Sequence, residues 1–154
     1  MRVAEVVYLN GELLPRDQAR LSPFDHGFLY GYGLFETMRA YGGRVFRLER
    51  HLARLRRSAH FLGLAVEGLD LERAVLDTLR ANGLADARLR LTVSAGEGLA
   101  IPDPSTCRGP TVLVTASPYQ PPLALSYRNG WSAIISSIRR NSQSPLSWMK
   151  GTAY

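Results

Sequence analysis

The stretch FDHGFLYGYGLFETMRAY, residues 24–41, joins a glycine-punctuated aromatic segment to an alternating one. Its three glycines do not form the G-x-G-x-x-G pattern of dinucleotide-binding loops, so they predict a kinked loop. Over residues 34–41 two sets of side chains alternate with the period of a β-strand, and Gly42-Gly43 predicts a tight turn after it. The first set is Leu34, Glu36, Met38 and Ala40, and the second is Phe35, Thr37, Arg39 and Tyr41. We therefore expect a loop followed by a hairpin strand.

An apolar, β-branched run precedes this stretch at residues 3–9 and ends at Asn10-Gly11. Asn-Gly is a strong hairpin signal because both residues tolerate a positive φ. Residues 12–14 would form the returning strand, and Pro15 would end it because proline cannot donate a ladder hydrogen bond. The N-terminus is thus predicted to be strand, turn, strand.

After the stretch, apolar residues recur three and four positions apart. This period predicts an amphipathic helix that begins near Arg47 and ends at Gly63. A second helix is predicted over residues 70–83, with Asp70 as its N-cap. Residues 87–94 alternate as a half-exposed strand does, and residues 111–117 form an apolar strand. Two helices and roughly five strands predict an α+β fold.

Residues 118–122, PYQPP, are the best domain boundary, because three prolines in five residues make a stiff connector. We expect an N-terminal α+β domain over residues 1–117 and the start of a second domain over residues 123–154. One further strand is predicted at residues 131–138. A domain of one or two strands without a covering helix cannot bury a core. We therefore expect the sequence to be the first half of a longer protein.

The composition narrows the class of protein. The formal net charge is +6, but the densest cluster, Arg54, Arg56 and Arg57, lies on a predicted helix without interleaved aromatics, so no nucleic-acid partner is expected. No eighteen-residue apolar run and no secretory leader are found, so we expect a soluble cytoplasmic protein with no membrane partner. The single cysteine, Cys107, cannot form an internal disulfide. No histidine pair has metal-ligand spacing, so no metal site is expected.

Lys150 is the only lysine in a sequence with eighteen arginines. It lies in RRNSQSPLSWMKGTAY, residues 139–154, directly after the apolar residues Trp148 and Met149. A lysine acts as a nucleophile or base only when its ammonium group is desolvated or lies near another cation. Apolar neighbours that exclude water favour such a role. The alternative is that arginine-rich codon usage has removed the other lysines.

Both stretches resemble one family. In residues 139–154, RRN is followed by SPL, then by Lys150 and an aromatic residue four positions later, which resembles the cofactor-lysine region of the class IV (fold type IV) pyridoxal-phosphate enzymes. Residues 24–41 resemble the family's signature D-H-G-F-x-Y-G-x-G-x-F-E-x-x-R. The resemblance implies that Lys150 carries pyridoxal 5'-phosphate (PLP) covalently and that Tyr154 contacts the cofactor. It also implies the family's two-helix, antiparallel-sheet N-terminal domain. Ala153 departs from the Asn of many members.

The same resemblance implies further site residues. The motif R-H-L-x-R-L in the first helix resembles the family's phosphate-binding helix, which implies that Arg54 binds the cofactor phosphate through its guanidinium fork. The family's substrate-pocket wall implies pocket roles for Tyr30, Phe35 and Arg39. Arg90 matches a strand position whose basic residue can bind a substrate carboxylate. Residue types alone leave plainer alternatives open, since alternating aromatics are often core and many arginines face solvent.

The resemblance also bears on the reaction. Thr37 and Met38 occupy positions where branched-chain aminotransferases typically have Gly and Ile, which favours an aminodeoxychorismate lyase. Such an enzyme eliminates pyruvate from 4-amino-4-deoxychorismate, a small anionic amine, and gives 4-aminobenzoate for folate biosynthesis. A branched-chain or D-amino-acid aminotransferase is an alternative that would use the same lysine, and a non-catalytic fragment or binding module is another. The family implies a homodimer. The 154-residue chain alone is not expected to bind PLP stably.

Overall fold

The computed structural model describes residues 5–139 and 141–153. Its strands are β1 (Val6–Leu9), β2 (Glu12–Pro15), β3 (Gly33–Tyr41), β4 (Arg44–Val45), β5 (Ala87–Ser94) and β6 (Thr111–Pro118). Its helices are α1 (His26–Tyr30), α2 (Leu48–Leu62), α3 (Leu71–Ala81) and α4 (Ala124–Asn129). The strands form one antiparallel sheet in the order β2-β1-β6-β5-β3-β4, so the predicted α+β class is confirmed.

The predicted turns and helix ends occur as expected. Asn10-Gly11 joins β1 to β2, and Gly42-Gly43 joins β3 to β4. The Asp70 side chain caps α3 by accepting a hydrogen bond of 3.0 Å from the Arg73 amide. Two predicted breaks differ slightly, because Pro15 and Pro118 are the last residues of β2 and β6, not the first residues after them. A proline fits there because a strand end needs no further ladder donor.

The core lies between one face of the sheet and the two long helices. The apolar stripes of α2 and α3 pack on the apolar phase of β3, β5 and β6, and together they form one buried cluster. The sheet contributes Leu34, Met38, Ala40, Ala87, Leu89, Leu91, Val93, Val112, Val114 and Ala116 to this cluster. The alternation seen in the sequence thus separates a helix-covered face of the sheet from an open face.

Two segments differ from their predictions. Residues 24–33, predicted as a loop, contain the short helix α1, which is capped by Asp25 accepting a 2.7 Å hydrogen bond from the Gly27 amide. The strand predicted at residues 131–138 is absent, and that prediction is wrong for this structure. Ile134 and Ile135 are 93% and 100% exposed, so no second strand or helix covers them. An apolar segment without a ladder partner gains nothing from extending as a strand.

The helix α4, which was not predicted, occupies part of the segment after β6 and ends at Gly130. The proposed domain boundary at residues 118–122 stays a prediction. Among the helices of residues 5–139 and 141–153, none combines the length and the hydropathy that a membrane span requires.

Candidate active site

The segment that contains Lys150 is bound to the edge of β3. The Phe35 amide donates a 2.9 Å hydrogen bond to the Lys150 carbonyl, and the Thr152 amide donates a 2.9 Å bond to the Gly33 carbonyl. The Thr152 hydroxyl also donates to the Gly31 carbonyl at 2.7 Å. This edge is available because β4 pairs only with the last two residues of β3. The chain therefore returns from residue 150 to the glycine-rich stretch at residues 31–35.

Phe35 brings two basic side chains together on the open face. The Arg90 guanidinium carbon lies 3.8 Å from the centroid of the Phe35 ring, and the Lys150 Nζ lies 5.1 Å from the same centroid. The two cations therefore lie within about 9 Å of each other. Cations over an aromatic face are attracted by its quadrupole. Three of the residues predicted from the sequence thus lie side by side, although they come from three separate parts of the chain.

Arg54 lies on α2 and is paired with a buried carboxylate. Its Nε donates to Glu36 Oε1 at 2.6 Å and its Nη2 donates to Glu36 Oε2 at 2.5 Å. His51 Nδ1 lies 2.7 Å from the same Oε2. Burial raises the pKa of Glu36, but hydrogen bonds and positive charge from Arg54 and His51 outweigh this effect and hold the pKa below its ordinary value. The hydrogen bond to Glu36 likewise raises the pKa of Arg54.

Arg39 lies near the far end of β3. It donates to the carbonyls of Ala40 and Ala87 at 2.6 and 3.2 Å and pairs with Asp86 at 3.2 Å. Its guanidinium carbon also lies 3.6 Å from the Tyr119 ring centroid. Four strand positions, or about 13 Å, separate it from Phe35. These contacts are those of a structural arginine, and they favour the plainer alternative for Arg39.

Tyr30 is the last residue of α1. Its ring packs edge-on against His26, with the centroids 5.0 Å apart, and it is 39% exposed. This ring contact lies within α1 and does not join Tyr30 to the Lys150 side chain. Tyr154, the other predicted cofactor contact, lies outside the described residues.

Known proteins resemble this chain over most of its length. The family model of the amino-transferase class IV matches residues 33–154, which include Phe35, Arg54, Arg90 and Lys150. The chain belongs to the class IV aminotransferase family.

Two curated relatives of this class IV chain carry different names. A putative branched-chain-amino-acid aminotransferase of Methanocaldococcus jannaschii is 43% identical over 139 residues, which cover 87% of this chain and 46% of that protein. An aminodeoxychorismate lyase of Bacillus subtilis is 37% identical over 143 residues, which cover 88% and 47%. The chain therefore spans about half the length of the curated relatives it matches.

A solved structure extends the comparison to three dimensions. The branched-chain amino acid aminotransferase of T.th. with pyridoxamine 5'-phosphate is 27% identical, with a TM-score of 0.72 over 79% of this chain and 42% of that one. The matching portion is the sheet-and-helix layer of a class IV protein, in agreement with the fold expected from the sequence.

A cavity of about 480 Å³ lies on the open face of this class IV chain, beside the lysine segment. Thr92, the cross-strand partner of Phe35, and Thr152 both line it. The loop that leads into α1 forms another wall, where Asp25 accepts a 2.9 Å hydrogen bond from the Ser94 hydroxyl. Among the described residues, no group of three or more His, Cys, Asp or Glu side chains could hold a metal ion.

Sequence reasoning missed Glu36 and Thr152 as site residues. Glu36 had a usable signal, because it is the one charged residue in the apolar phase of β3. A charge at such a position needs a partner. Thr152 had no signal, because its hydroxyl bonds to a carbonyl 121 positions away in the sequence.

Proposed function

We propose that this chain carries the cofactor lysine of a PLP-dependent enzyme, and that the enzyme is an aminodeoxychorismate lyase. The observation that carries the proposal is the Phe35 cluster, in which the Lys150 amine and the Arg90 guanidinium share one aromatic ring on the open face of the sheet. Membership of the class IV family and the similarity to a structure with pyridoxamine 5'-phosphate support PLP as the cofactor.

The residues present fit PLP. Lys150 offers the only lysine amine of the chain to the cofactor's aldehyde. Arg54 offers the remaining edge of its guanidinium to the phosphate, because Nε and Nη2 already bond to Glu36 and the side chain is 41% exposed. When bound, PLP supplies a conjugated ring that takes up the electron pair of a broken bond at the substrate carbon.

The chain's own residues supply the remaining chemistry. Lys150 Nζ acts as the base that removes the proton from the substrate carbon bearing the amine. Phe35 is 5% exposed and excludes water from one side of that amine. Arg90 binds a substrate carboxylate and so fixes the position of the reacting carbon. With aminodeoxychorismate, loss of the proton and of the enolpyruvyl group gives 4-aminobenzoate and pyruvate, and no keto-acid acceptor is needed.

A transaminase is the second candidate. It is favoured by the relative of M. jannaschii, which is named a putative branched-chain-amino-acid aminotransferase and shares more identity with this chain than the lyase of B. subtilis does. Thr37 and Met38 support the lyase instead. Lys150 would act as the base in both reactions, so the arrangement at Lys150 does not distinguish them.

One assay separates the two reactions. The complete gene product is incubated with aminodeoxychorismate and pyruvate is measured, in parallel with branched-chain or D-amino acids and 2-oxoglutarate. Pyruvate release without an acceptor supports the lyase, whereas amino-group transfer alone contradicts it.

A second experiment tests the lysine. Lys150→Ala should lower turnover by at least about 100-fold, because it removes the acid–base group. After incubation with PLP and borohydride, the cofactor should be found on Lys150 of the wild type by mass spectrometry. Arg56→Ala, which changes an exposed cation on α2, is the matched control and should leave turnover unchanged. Unchanged turnover in Lys150→Ala would refute the proposal.

We further propose that two copies of the complete protein assemble, as expected for this family. Sedimentation or light scattering of the complete gene product tests this assembly directly, and a monomer at micromolar concentration would count against it.

A further inference from the structure

Glu36 is a carboxylate in the hydrophobic core. It is 1% exposed and lies between Leu34 and Met38 in the apolar phase of β3. Removing a carboxylate from water costs several kcal/mol unless charge and hydrogen bonds compensate for it. An apolar side chain of similar volume would usually serve stability at least as well. Core packing alone therefore does not account for an acid at this position.

The contacts of Glu36 fix one side chain in particular. Both carboxylate oxygens accept from Arg54, at 2.6 and 2.5 Å, in the two-point geometry that orients a guanidinium plane. His51 Nδ1 lies 2.7 Å from Oε2, so the carboxylate itself is held from a second position on α2. Within the described residues, Arg54 Nη1 makes no hydrogen bond, and the side chain is 41% exposed. The arginine therefore has one fixed edge and one available edge.

We propose that Glu36 is a positioning residue for the phosphate of a B6 cofactor, and that it acts by holding the available edge of Arg54 in one orientation. This inference rests on the proposed function. An unrestrained arginine samples many rotamers, and ordering it on binding costs free energy. The clamp meets that cost during folding, so an incoming phosphate binds a guanidinium that is already oriented.

The test compares two ligands that differ only in the phosphate. Dissociation constants of pyridoxamine 5'-phosphate and pyridoxamine are measured for the complete gene product by fluorescence titration. Glu36→Gln keeps the size of the side chain but offers Arg54 a single acceptor. It should weaken pyridoxamine 5'-phosphate by about 10-fold, equivalent to the loss of one charge-assisted contact, and leave pyridoxamine unchanged. Glu49→Gln, the same change at an exposed position of α2, is the matched control and should alter neither constant.

A double variant tests whether Glu36 acts through Arg54. In an Arg54→Ala background, Glu36→Gln should produce no further loss of phosphate-dependent affinity, because the group that it orients is gone. Independent losses that multiply would overturn the inference. Glu36→Asp serves if Glu36→Gln does not fold, since it keeps the buried charge but is one methylene shorter. It should also lower the affinity for pyridoxamine 5'-phosphate relative to pyridoxamine.

The failures of the two proposals are distinguishable. Equal weakening of both ligands, or no weakening of either, would overturn the role of Glu36 while the proposed function stands. No binding of either ligand by the wild type would overturn the proposed function, and the inference with it.

Discussion

The two faces of β3 carry different tasks. On one face Leu34 and Met38 are almost completely buried beneath the helices, whereas on the other Phe35 lies beside the cations Arg90 and Lys150. Neighbouring residues of one strand therefore belong to the core and to the candidate site. A strand allows this division because successive side chains point to opposite faces. The difference teaches that the fold depends on one face and the proposed chemistry on the other.

The largest expected effect separates the two faces on β5. Leu91 is fully buried and Thr92, the next residue, faces the cavity on the open side. Leu91→Ala should lower the free energy of unfolding by about 3 kcal/mol, because it removes buried methyl groups and leaves a void. Thr92→Ala should lower it by less than about 1 kcal/mol. Denaturant unfolding of both variants measures the contrast, and similar losses would show that the faces are not distinct.

The next effect concerns the end of β5, where the sheet turns toward the cavity. Gly96 has φ +88°, and a Cβ there would lie 1.8 Å from the Gly109 carbonyl oxygen. Gly96→Ala should destabilise the fold by about 2 to 3 kcal/mol, because the backbone must shift as well as strain. Gly63→Ala is the control, with φ +70° but open space around its Cβ, and should cost about 1 kcal/mol. Equal losses in thermal unfolding would contradict the close approach.

A third prediction uses pH to isolate the charge on the covered face. Folding holds the pKa of Glu36 below its ordinary value of 4.5, so the unfolded chain takes up this proton at a higher pH than the folded chain. The stability that Glu36 contributes is therefore complete above about pH 4.5 and is lost as pH falls through its lowered pKa. Glu36→Gln should cost about 2 kcal/mol at neutral pH and progressively less in acid. A constant difference in urea unfolding between pH 7 and pH 3 would refute this account.

The smallest effect tests how the lysine segment is held. Thr152→Val removes the hydroxyl bond to the Gly31 carbonyl but keeps the backbone bonds on either side. Loss of one hydrogen bond, about 1 kcal/mol, should speed exchange of the Phe35 amide about five-fold, because that amide bonds to Lys150. Thr106→Val removes a hydroxyl bond in a distant loop and should leave the Phe35 amide unaffected. Hydrogen exchange followed by NMR or mass spectrometry measures both.

Most of the layered fold could be predicted from local patterns. The period of α2, the cap at Asp70 and the turn at Asn10-Gly11 each depend on a few consecutive residues, and each is present as expected. The alternation over residues 34–41 also separated the covered set from the open set. Local physics suffices where one short segment contains its own signal.

The remaining features depend on residues far apart in sequence. No local pattern in residues 150–152 shows that they pair with the edge of β3, since the partners lie more than one hundred positions earlier. The strand predicted at residues 131–138 failed for the related reason that an extended segment needs a partner, and none covers Ile134 or Ile135 here. The Glu36–Arg54 pair joins a strand and a helix, so only the unusual charge in the apolar phase hinted at it.

The backbone bonds around Lys150 have a practical consequence for chemical biology. Main-chain atoms of Phe35 and Gly33 hold residues 150 and 152, so the geometry at position 150 does not depend on the side chain that it bears. A cysteine placed there could be aminoethylated to rebuild a lysine analogue in which sulfur replaces one methylene group. Burial raises the pKa of the chain's one native thiol, Cys107, which makes that thiol slower to alkylate. Semi-synthesis could thus tune the basicity of a single amine while the rest of the polypeptide stays unaltered.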